Sequence, residues 1–255
     1  MPEPYLLVFA ALLGACVGSF LNVCAYRWPE ELSVVSPPSR CPGCDTPIRW
    51  YDNVPVLGWL WLRGRCRACR APISIQYPRV ELATAAIWVM AVWRFGLDWQ
   101  ALSVAVFFTL LLGIALSDAR TYIIPDEFTL GGLAIGLALA FAPGGIQPLQ
   151  ALLGALLGGA LLWAVGAAGE WVFRKEAMGG GDIKMMAMVG AFLGPIGVLL
   201  TIFLGALFGT LIFAPISYRT GKLVPFGIFL ALGAAVTEPF GPSLIDWYVR
   251  TFLTT

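Results

Sequence analysis

Met178-Gly179-Gly180-Gly181-Asp182-Ile183-Lys184 is the stretch on which the organisation of this chain depends. Three glycines lead into an acid, and a long apolar run follows from Met185 to Phe213. A carboxylate at the edge of a membrane segment is costly, so such residues usually have a function. The comparable residue elsewhere is Asp118, at the end of the apolar run from Ala101 to Leu116. We expect these two carboxylates to form a catalytic pair framed by the rest of the chain.

The composition predicts a membrane protein. The chain has 255 residues, of which 59% are hydrophobic and 12% charged, whereas soluble domains are about 45–50% apolar and about 25% charged. The net charge of +1 gives no indication of nucleic-acid binding. Histidine is absent, which excludes a Ser-His-Asp triad and an HExxH zinc site. Hydrolysis would therefore need carboxylates, a lysine, or a metal held by Cys, Asp or Glu.

Eight apolar segments predict an all-α polytopic membrane protein, because about 20 apolar residues cross a bilayer. They are Tyr5–Tyr26, Val80–Phe95, Ala101–Leu116, Phe128–Phe141, Leu149–Phe173, Ile183–Leu193, Ile196–Ser217 and Pro225–Val236. The break at Gly194-Pro195 is compatible with a turn or with a kink. The predicted domains are a first transmembrane helix (1–26), a cytoplasmic cysteine domain (27–79) and a seven-helix membrane core (80–255).

The distribution of lysine and arginine predicts the orientation. Cytoplasmic loops are enriched in these residues. If residues 27–79 are cytoplasmic, alternation also places residues 117–127, 174–182 and 218–224 there. All but two of the 16 basic residues, Arg94 and Arg250, then lie on or beside that side. Both termini are expected outside, and both key aspartates at the cytoplasmic face.

Residues 27–79 contain two CxxC pairs, Cys41 with Cys44 and Cys66 with Cys69. Two such pairs that converge are typical of a tetrahedral zinc ribbon. The alternatives are a redox pair or two disulfides, which a cytosolic segment disfavours. With four thiolates and no open position, we expect the zinc to be structural.

Asp118 and Asp182 suit aspartic-protease chemistry. Two close carboxylates share a proton, so one can activate water while the other protonates a peptide carbonyl. The helix ends alone favour Asp182 as the ionised member, because its helix N-terminus attracts negative charge and the helix C-terminus at Asp118 does not. Gly179, Gly180 and Gly181 allow close backbone approach, so we expect them to bind an extended substrate.

Other charged residues receive structural interpretations. Asp126 is expected to cap the helix that follows it. Glu81 is expected to pair with an arginine at the start of the second span. Glu170 is expected to form an i,i+4 pair with Arg174. Lys184 is expected to extend to the membrane interface.

Several motifs together resemble the type IV prepilin peptidases, the leader peptidases of type IV pili, type II secretion and competence systems. They are Gly18-Ser19-Phe20-Leu21-Asn22-Val23 with Arg27 and Pro29, the cysteine pairs running on to Tyr77-Pro78-Arg79-Val80-Glu81-Leu82, Asp118 through Pro125-Asp126, and Met178–Gly194. The match covers nearly the whole chain.

The resemblance implies a GxGD-type intramembrane aspartic endopeptidase, with Asp118 and Asp182 in the two catalytic roles. It would cut the basic leader from prepilins and pseudopilins after a glycine, at the cytoplasmic face of the bacterial inner membrane. It would then methylate the new N-terminal residue with S-adenosylmethionine, although no dinucleotide-type glycine fingerprint marks a methyl-donor site. The substrate's basic leader would meet Asp45, Asp52 or Asp126.

Two other classes of function fit part of the sequence. A proton-coupled transporter would use buried carboxylates and glycine-interrupted helices, but the chain shows no paired repeat. A non-enzymatic zinc-ribbon assembly factor would need the cysteines and not the aspartates.

Overall fold

A computed structural model of the chain describes residues 2–175, 178–213 and 226–252. These ranges contain seven helices of 14 residues or more, one five-residue helix and no β-strand. The helices are α1 Pro4–Arg27, α2 Leu57–Trp61, α3 Gln76–Phe95, α4 Trp99–Thr121, α5 Asp126–Leu139, α6 Pro148–Phe173, α7 Gly180–Phe208 and α8 Phe226–Phe252. A π-helical segment, Gly209–Phe213, follows α7.

Five of the described helices are long and apolar enough to cross a membrane, namely α1, α4, α6, α7 and α8. This finding confirms the predicted all-α polytopic membrane class. The chain divides into two compact units, Met1–Thr109 and Leu110–Thr255. The predicted three-part division at residues 26 and 79 stays a prediction.

Seven long helices are described instead of the predicted eight because α7 contains the predicted sixth span, Ile183–Leu193, and the first part of the predicted seventh, Ile196–Ser217, as two helical segments that meet at Gly194. Gly194 interrupts α7 with φ 70° and ψ −178°, and Pro195 follows it. Residues with a side chain rarely adopt such a φ, whereas glycine does so without a steric penalty. Ser217 and the predicted 218–224 loop lie outside the described residues.

The chain reverses direction at this break. Gly181 and Gly227 both pack against Ile124, so the start of α7 lies beside the start of α8. Gly205 also packs near the start of α8, since a Cβ there would lie 3.2 Å from the Cα of Leu230. A continuous helix would instead place residues 181 and 205 about 36 Å apart. The sequence signal at Gly194-Pro195 therefore marks a turn between two helical arms.

The last helix is longer than predicted. Pro225–Val236 was expected, whereas α8 runs Phe226–Phe252 with Pro239 and Pro242 inside it; Pro225 lies outside the described residues. Prolines are tolerated within membrane helices because other groups satisfy the freed backbone atoms. The predicted end at Val236 is therefore wrong, because the helix continues through both prolines.

In the first unit, α1 and α3 pack closely through glycines. A Cβ on Gly14 would lie 2.8 Å from the Cα of Ala85, and one on Gly18 would lie 2.8 Å from the Cα of Glu81. Asn22 fixes the register, because its Nδ2 donates to the carbonyls of Gly18 and Tyr77 at 3.2 Å each. Small residues of this kind allow membrane helices to approach.

The predicted pairing of Glu81 with an arginine is wrong. Glu81 is buried, and its Oε2 accepts a hydrogen bond from the backbone amide of Val56 at 2.7 Å. Val56 has a φ of 61°, unusual for a β-branched residue. A buried acid needs a donor, and here the loop before α2 supplies it.

In the second unit, α7 packs against α6 and α5 through glycines. Gly154 and Gly190 contact each other's backbone so closely that a Cβ on either would collide with the other's carbonyl oxygen. A Cβ on Gly132 would lie 2.6 Å from the sulfur of Met188. Met188 itself is fully buried. This packing fixes the arm of α7 that begins at the predicted site.

Candidate functional site

Asp118 lies in the last turn of α4 and is buried, with 4% of its surface exposed. Its Oδ2 accepts a hydrogen bond from the backbone amide of Ile228 at 3.2 Å. The preceding residue, Gly227, lies against the same carboxylate, since a Cβ there would be 2.7 Å from Oδ2. The start of α8 therefore donates a backbone hydrogen bond to the Asp118 carboxylate, and Gly227 leaves room for this carboxylate because it has no side chain.

Asp182 lies in the first turn of α7, whose N-cap is Gly179. Its backbone amide donates to the carbonyl of Gly179 at 3.1 Å. Its side-chain Oδ1 is buried and has no hydrogen-bond partner among the described residues. Buried carboxylate oxygens are nearly always bonded, so this atom is available to a water or a substrate.

The two aspartates come together, as the sequence predicts. Ile124 packs against Gly181, beside Asp182, and against Gly227, beside the Asp118 carboxylate. The two carboxylates lie close enough to interact electrostatically. One acid thus comes from a helix C-terminus and the other from a helix N-terminus, around a shared apolar contact.

The expected cap at Asp126 is not formed. The residue in the N-cap position of α5 is Pro125, without a side-chain cap bond, and Asp126 is the first helical residue. Its carboxylate instead binds Lys184, with Nζ at 2.7 Å from Oδ1 and 2.8 Å from Oδ2. Lys184 therefore pairs with an acid, and the pair joins the start of α5 to the helix that carries Asp182; the extension of Lys184 to the membrane interface stays a prediction.

Of the three glycines, two have close neighbours at the site. A Cβ on Gly179 would lie 3.5 Å from Oδ2 of Asp182, and one on Gly181 would lie 2.9 Å from the Cβ of Ile124. Gly180 has open space around it. The substrate-binding role of Gly179, Gly180 and Gly181 stays a prediction.

Sequence reasoning missed the contribution of Gly227 and Ile228. A backbone amide has no residue-type signature, so nothing in the local sequence identifies the donor to Asp118. It likewise missed the Lys184–Asp126 pair, although both residues belong to motifs that were singled out. The other predicted pair, Glu170 with Arg174, is not among the ion pairs of the described residues; the Arg174 amide caps α6 by donating to the Glu170 carbonyl at 2.8 Å.

The four cysteines of the first unit form one cluster, with all Sγ atoms within 4.8 Å of one another. The sulfurs of Cys41 and Cys69 are 3.7 Å apart, and those of Cys44 and Cys66 are 4.0 Å apart. A tetrahedral zinc ion with Zn–S bonds of about 2.3 Å separates its sulfurs by about 3.8 Å. The donor set and spacing therefore fit a four-thiolate metal site, and all four are free thiols.

The two cysteine knuckles have the same backbone. The carbonyl of Cys41 accepts from the amide of Asp45 at 2.8 Å, and that of Cys66 accepts from the amide of Arg70 at 3.0 Å. Asp45 and Arg70 both have positive φ, 54° and 63°. One isolated antiparallel bridge closes each knuckle, Arg40–Pro47 in the first and Arg65–Pro72 in the second.

The acids considered for leader binding are all paired. Asp45 binds Arg40 at 3.0 Å, and Asp52 binds Arg67 at 2.6 Å. The hydrogen bond from Arg67 holds the pKa of the Asp52 carboxyl below its ordinary value. Asp126 is occupied by Lys184, so a basic leader would have to displace a partner at any of the three.

The fold and the site define a class: polytopic membrane proteins that hold two adjacent carboxylates at helix ends, suited to acid–base hydrolysis without histidine. Comparison with known proteins agrees. The model of the type IV leader peptidase family matches residues 105–214, and that of the bacterial peptidase A24 N-terminal domain matches residues 12–95. No solved structure matches the chain.

Curated relatives are named prepilin leader peptidase/N-methyltransferase. The protein from Myxococcus xanthus is 40% identical over 91% of this chain and 66% of its own length. Those from Aeromonas hydrophila and Neisseria gonorrhoeae are each 35% identical, covering 95% and 92% of this chain and 93% and 88% of their own lengths. The chain belongs to the type IV leader peptidase family, which confirms the resemblance drawn from its motifs.

Proposed function

We propose that the protein is an intramembrane aspartic endopeptidase that removes the leader from type IV prepilins and pseudopilins, after a glycine. The observation that carries the proposal is the convergence of Asp118 and Asp182, with Oδ1 of Asp182 buried and unpaired among the described residues. Family membership and the names of the relatives support the substrate class.

The two acids would divide the work of acid and base. A hydrogen bond to a charged group contributes about 1.5–3 kcal/mol, and a helix terminus contributes up to about 2 kcal/mol in partly buried geometry. We assign the charge to Asp118 because its Oδ2 accepts a hydrogen bond from the Ile228 amide, whereas Oδ1 of Asp182 has no donor among the described residues. Asp118 is then the base that takes a proton from water, and Asp182 donates its proton to the carbonyl oxygen of the scissile peptide. Isotope-edited infrared spectra showing Asp118 as the protonated member would reverse these roles.

The site would be positioned by two further contacts. Ile124 holds the start of α7 against the start of α8. The Lys184–Asp126 pair holds the α5 start against the same end of α7. Neither contact touches the reacting atoms, so Ile124, Lys184 and Asp126 are positioning residues. They would keep the carboxylates within reach of one water, as near-attack geometry requires.

A second activity, N-methylation of the new N-terminal residue, is supported by the relatives' names. S-adenosylmethionine would supply the methyl group, and its binding residues are not assigned. The cysteine cluster would hold one structural zinc through Cys41, Cys44, Cys66 and Cys69. A closed four-thiolate site leaves no position for a substrate.

The orientation is part of the proposal. The basic residues favour an inner-membrane protein with residues 27–79, which we call the cysteine module, and the two aspartates at the cytoplasmic face, and with both termini outside. Water can reach carboxylates at such a boundary while the apolar helix of a prepilin stays in lipid. Prepilins and the bilayer are then the partners, without nucleic acid.

The test is to incubate the purified protein in nanodiscs with a prepilin and isotopically labelled methyl donor, and to analyse the product N-terminus by mass spectrometry. The proposal predicts a cut after the glycine and a labelled methyl group on the next residue. An intact prepilin with proton-driven flux in liposomes would favour a transporter. An intact prepilin without flux would favour an assembly factor.

A further inference from the structure

We propose that residues 50–61 of the cysteine module, which we call the aromatic segment, lie in the headgroup layer of the membrane that α1 spans. Trp50 and Trp61 are 82% and 81% exposed, and Leu57 and Leu60 are 63% and 56% exposed. So many large apolar side chains on one small module indicate a contact surface. This inference does not depend on the peptidase activity.

The register of α1 and α3 shows where this segment is attached. Asn22 of α1 binds the carbonyl of Tyr77 at the start of α3, and Gly18 lies against Glu81 one turn further along α3. Glu81 binds the amide of Val56 at 2.7 Å. The hydrogen bond between Glu81 and Val56 therefore attaches the aromatic segment to α3 about one helical turn after α3 begins. This point of α3 lies beside Gly18, toward the middle of α1.

The length of α1 gives the depth of this attachment. Its 24 residues extend about 36 Å, against a hydrocarbon layer of about 30 Å. One membrane boundary therefore falls within about a turn of Arg27, and Gly18 lies about 14 Å before Arg27. Glu81, at the level of Gly18, therefore lies about 8–14 Å inside that boundary. Its hydrogen bond to Val56 keeps the middle of the aromatic segment below the boundary, so the residues on either side of Val56 reach the headgroup layer rather than extend into water.

The chemistry of the segment fits a lipid surface. Tryptophan is enriched where headgroups meet the hydrocarbon, because its ring is apolar and its N–H is polar. Arg63 and Arg65 follow α2, are exposed, and form no ion pair among the described residues. Basic residues at this level attract anionic headgroups. A protein partner would also cover apolar side chains, but the tie to Glu81 makes the surface continuous with the lipid-facing helix pair.

Tryptophan fluorescence tests the proposal on the full-length protein, in nanodiscs of phosphatidylethanolamine and phosphatidylglycerol with and without brominated lipid. The variants are Trp50→Phe and Trp61→Phe, and the matched control is Trp59→Phe. Trp59 lies in the same short helix but is half-buried, with Nε1 donating to the Ile73 carbonyl at 3.1 Å. Acrylamide serves as the quencher from water.

Because the chain has 10 tryptophans, each replacement removes on the order of a tenth of the emission. The proposal predicts that Trp50→Phe and Trp61→Phe lower the lipid-quenched fraction by that amount, whereas Trp59→Phe does not lower it. If Trp50→Phe and Trp61→Phe instead lowered the fraction of emission that acrylamide quenches, the proposal would be overturned, since the two rings would lie in water. If the two replacements lowered neither quenched fraction, the proposal would also be overturned, because a second copy of the chain or another protein would then cover the aromatic segment.

Discussion

The cysteine cluster and the aspartate pair are each assembled from two halves, but only the cysteine halves are alike. The two knuckles share their spacing, their positive-φ residue and their closing bridge. The two aspartates differ in helix end and in hydrogen bonding. A structural zinc site holds four ligands at the corners of a tetrahedron, whereas acid–base catalysis needs one proton donor and one acceptor. The likeness of the two knuckles fits the proposed metal site, and the difference between the two aspartates fits the proposed division into acid and base.

The largest effect expected at the cysteine cluster tests its symmetry. Cys41→Ser and Cys66→Ser should each reduce bound zinc from about one ion per chain to nearly none, because a structural site needs all four thiolates. Hydrogen exchange across residues 40–72 should rise equally in both variants. Metal analysis and exchange mass spectrometry measure this. Full zinc retention in one variant would show that the knuckles are not equivalent.

Gly227→Ala tests the asymmetric environment of Asp118. The new Cβ would lie 2.7 Å from Oδ2, so the carboxylate must move away from the Ile228 amide. A displacement of about 1 Å costs on the order of 100-fold in rate, and we expect kcat to fall by that much with little change in KM. Gly131→Ala is the matched control, because Gly131 is a helical glycine of α5 with open space around it and no part in the site. Equal rates for the two variants would contradict the account.

The Lys184–Asp126 pair should have a moderate effect. Exposed pairs contribute about 0.2–1 kcal/mol, and these side chains are 41% and 52% exposed. Lys184→Gln or Asp126→Asn should lower cleavage a few-fold without changing its pH profile. The double exchange Lys184→Asp with Asp126→Lys should recover part of the loss. No recovery would indicate that Lys184 contacts the substrate instead.

The smallest effect concerns acids of the cysteine module. Asp52 is 7% exposed beside Arg67, whereas Asp45 is 79% exposed beside Arg40, so Asp52→Asn should destabilise the module more than Asp45→Asn. Since the folded pKa of Asp52 is lowered, its contribution should be present above about pH 4. It should disappear as pH falls through the lower folded value. Exchange mass spectrometry of zinc-loaded protein near neutral pH, where the thiolates hold the metal, measures the gap between the variants; equal destabilisation by the two would contradict this.

The sequence predicted those features that depend on composition or on residue type. Hydropathy located the helices, the CxxC spacing located the cluster, and the position of each acid at the end of an apolar run located Asp118 and Asp182. It failed where geometry decides: the last helix continues past the predicted end at Val236, and Asp126 does not cap α5.

The sequence also could not identify which backbone amides donate hydrogen bonds to the buried acids. Glu81 binds the Val56 amide and Asp118 binds the Ile228 amide, and every residue other than proline carries the same N–H group. Only the three-dimensional path of the chain decides which amide faces an acid. Sequence patterns therefore identify the carboxylates but not the partners that make them different.

The most direct test of the central claim is the cleavage rate of Asp118→Asn, Asp182→Asn and the double variant, in nanodiscs with a prepilin. Residues that act as one unit show non-additive losses. We predict that each single variant loses activity on the order of 10⁴-fold or more, that the double variant is no worse, and that all three retain zinc and helix content. A single variant that keeps a tenth of the wild-type rate would contradict the account.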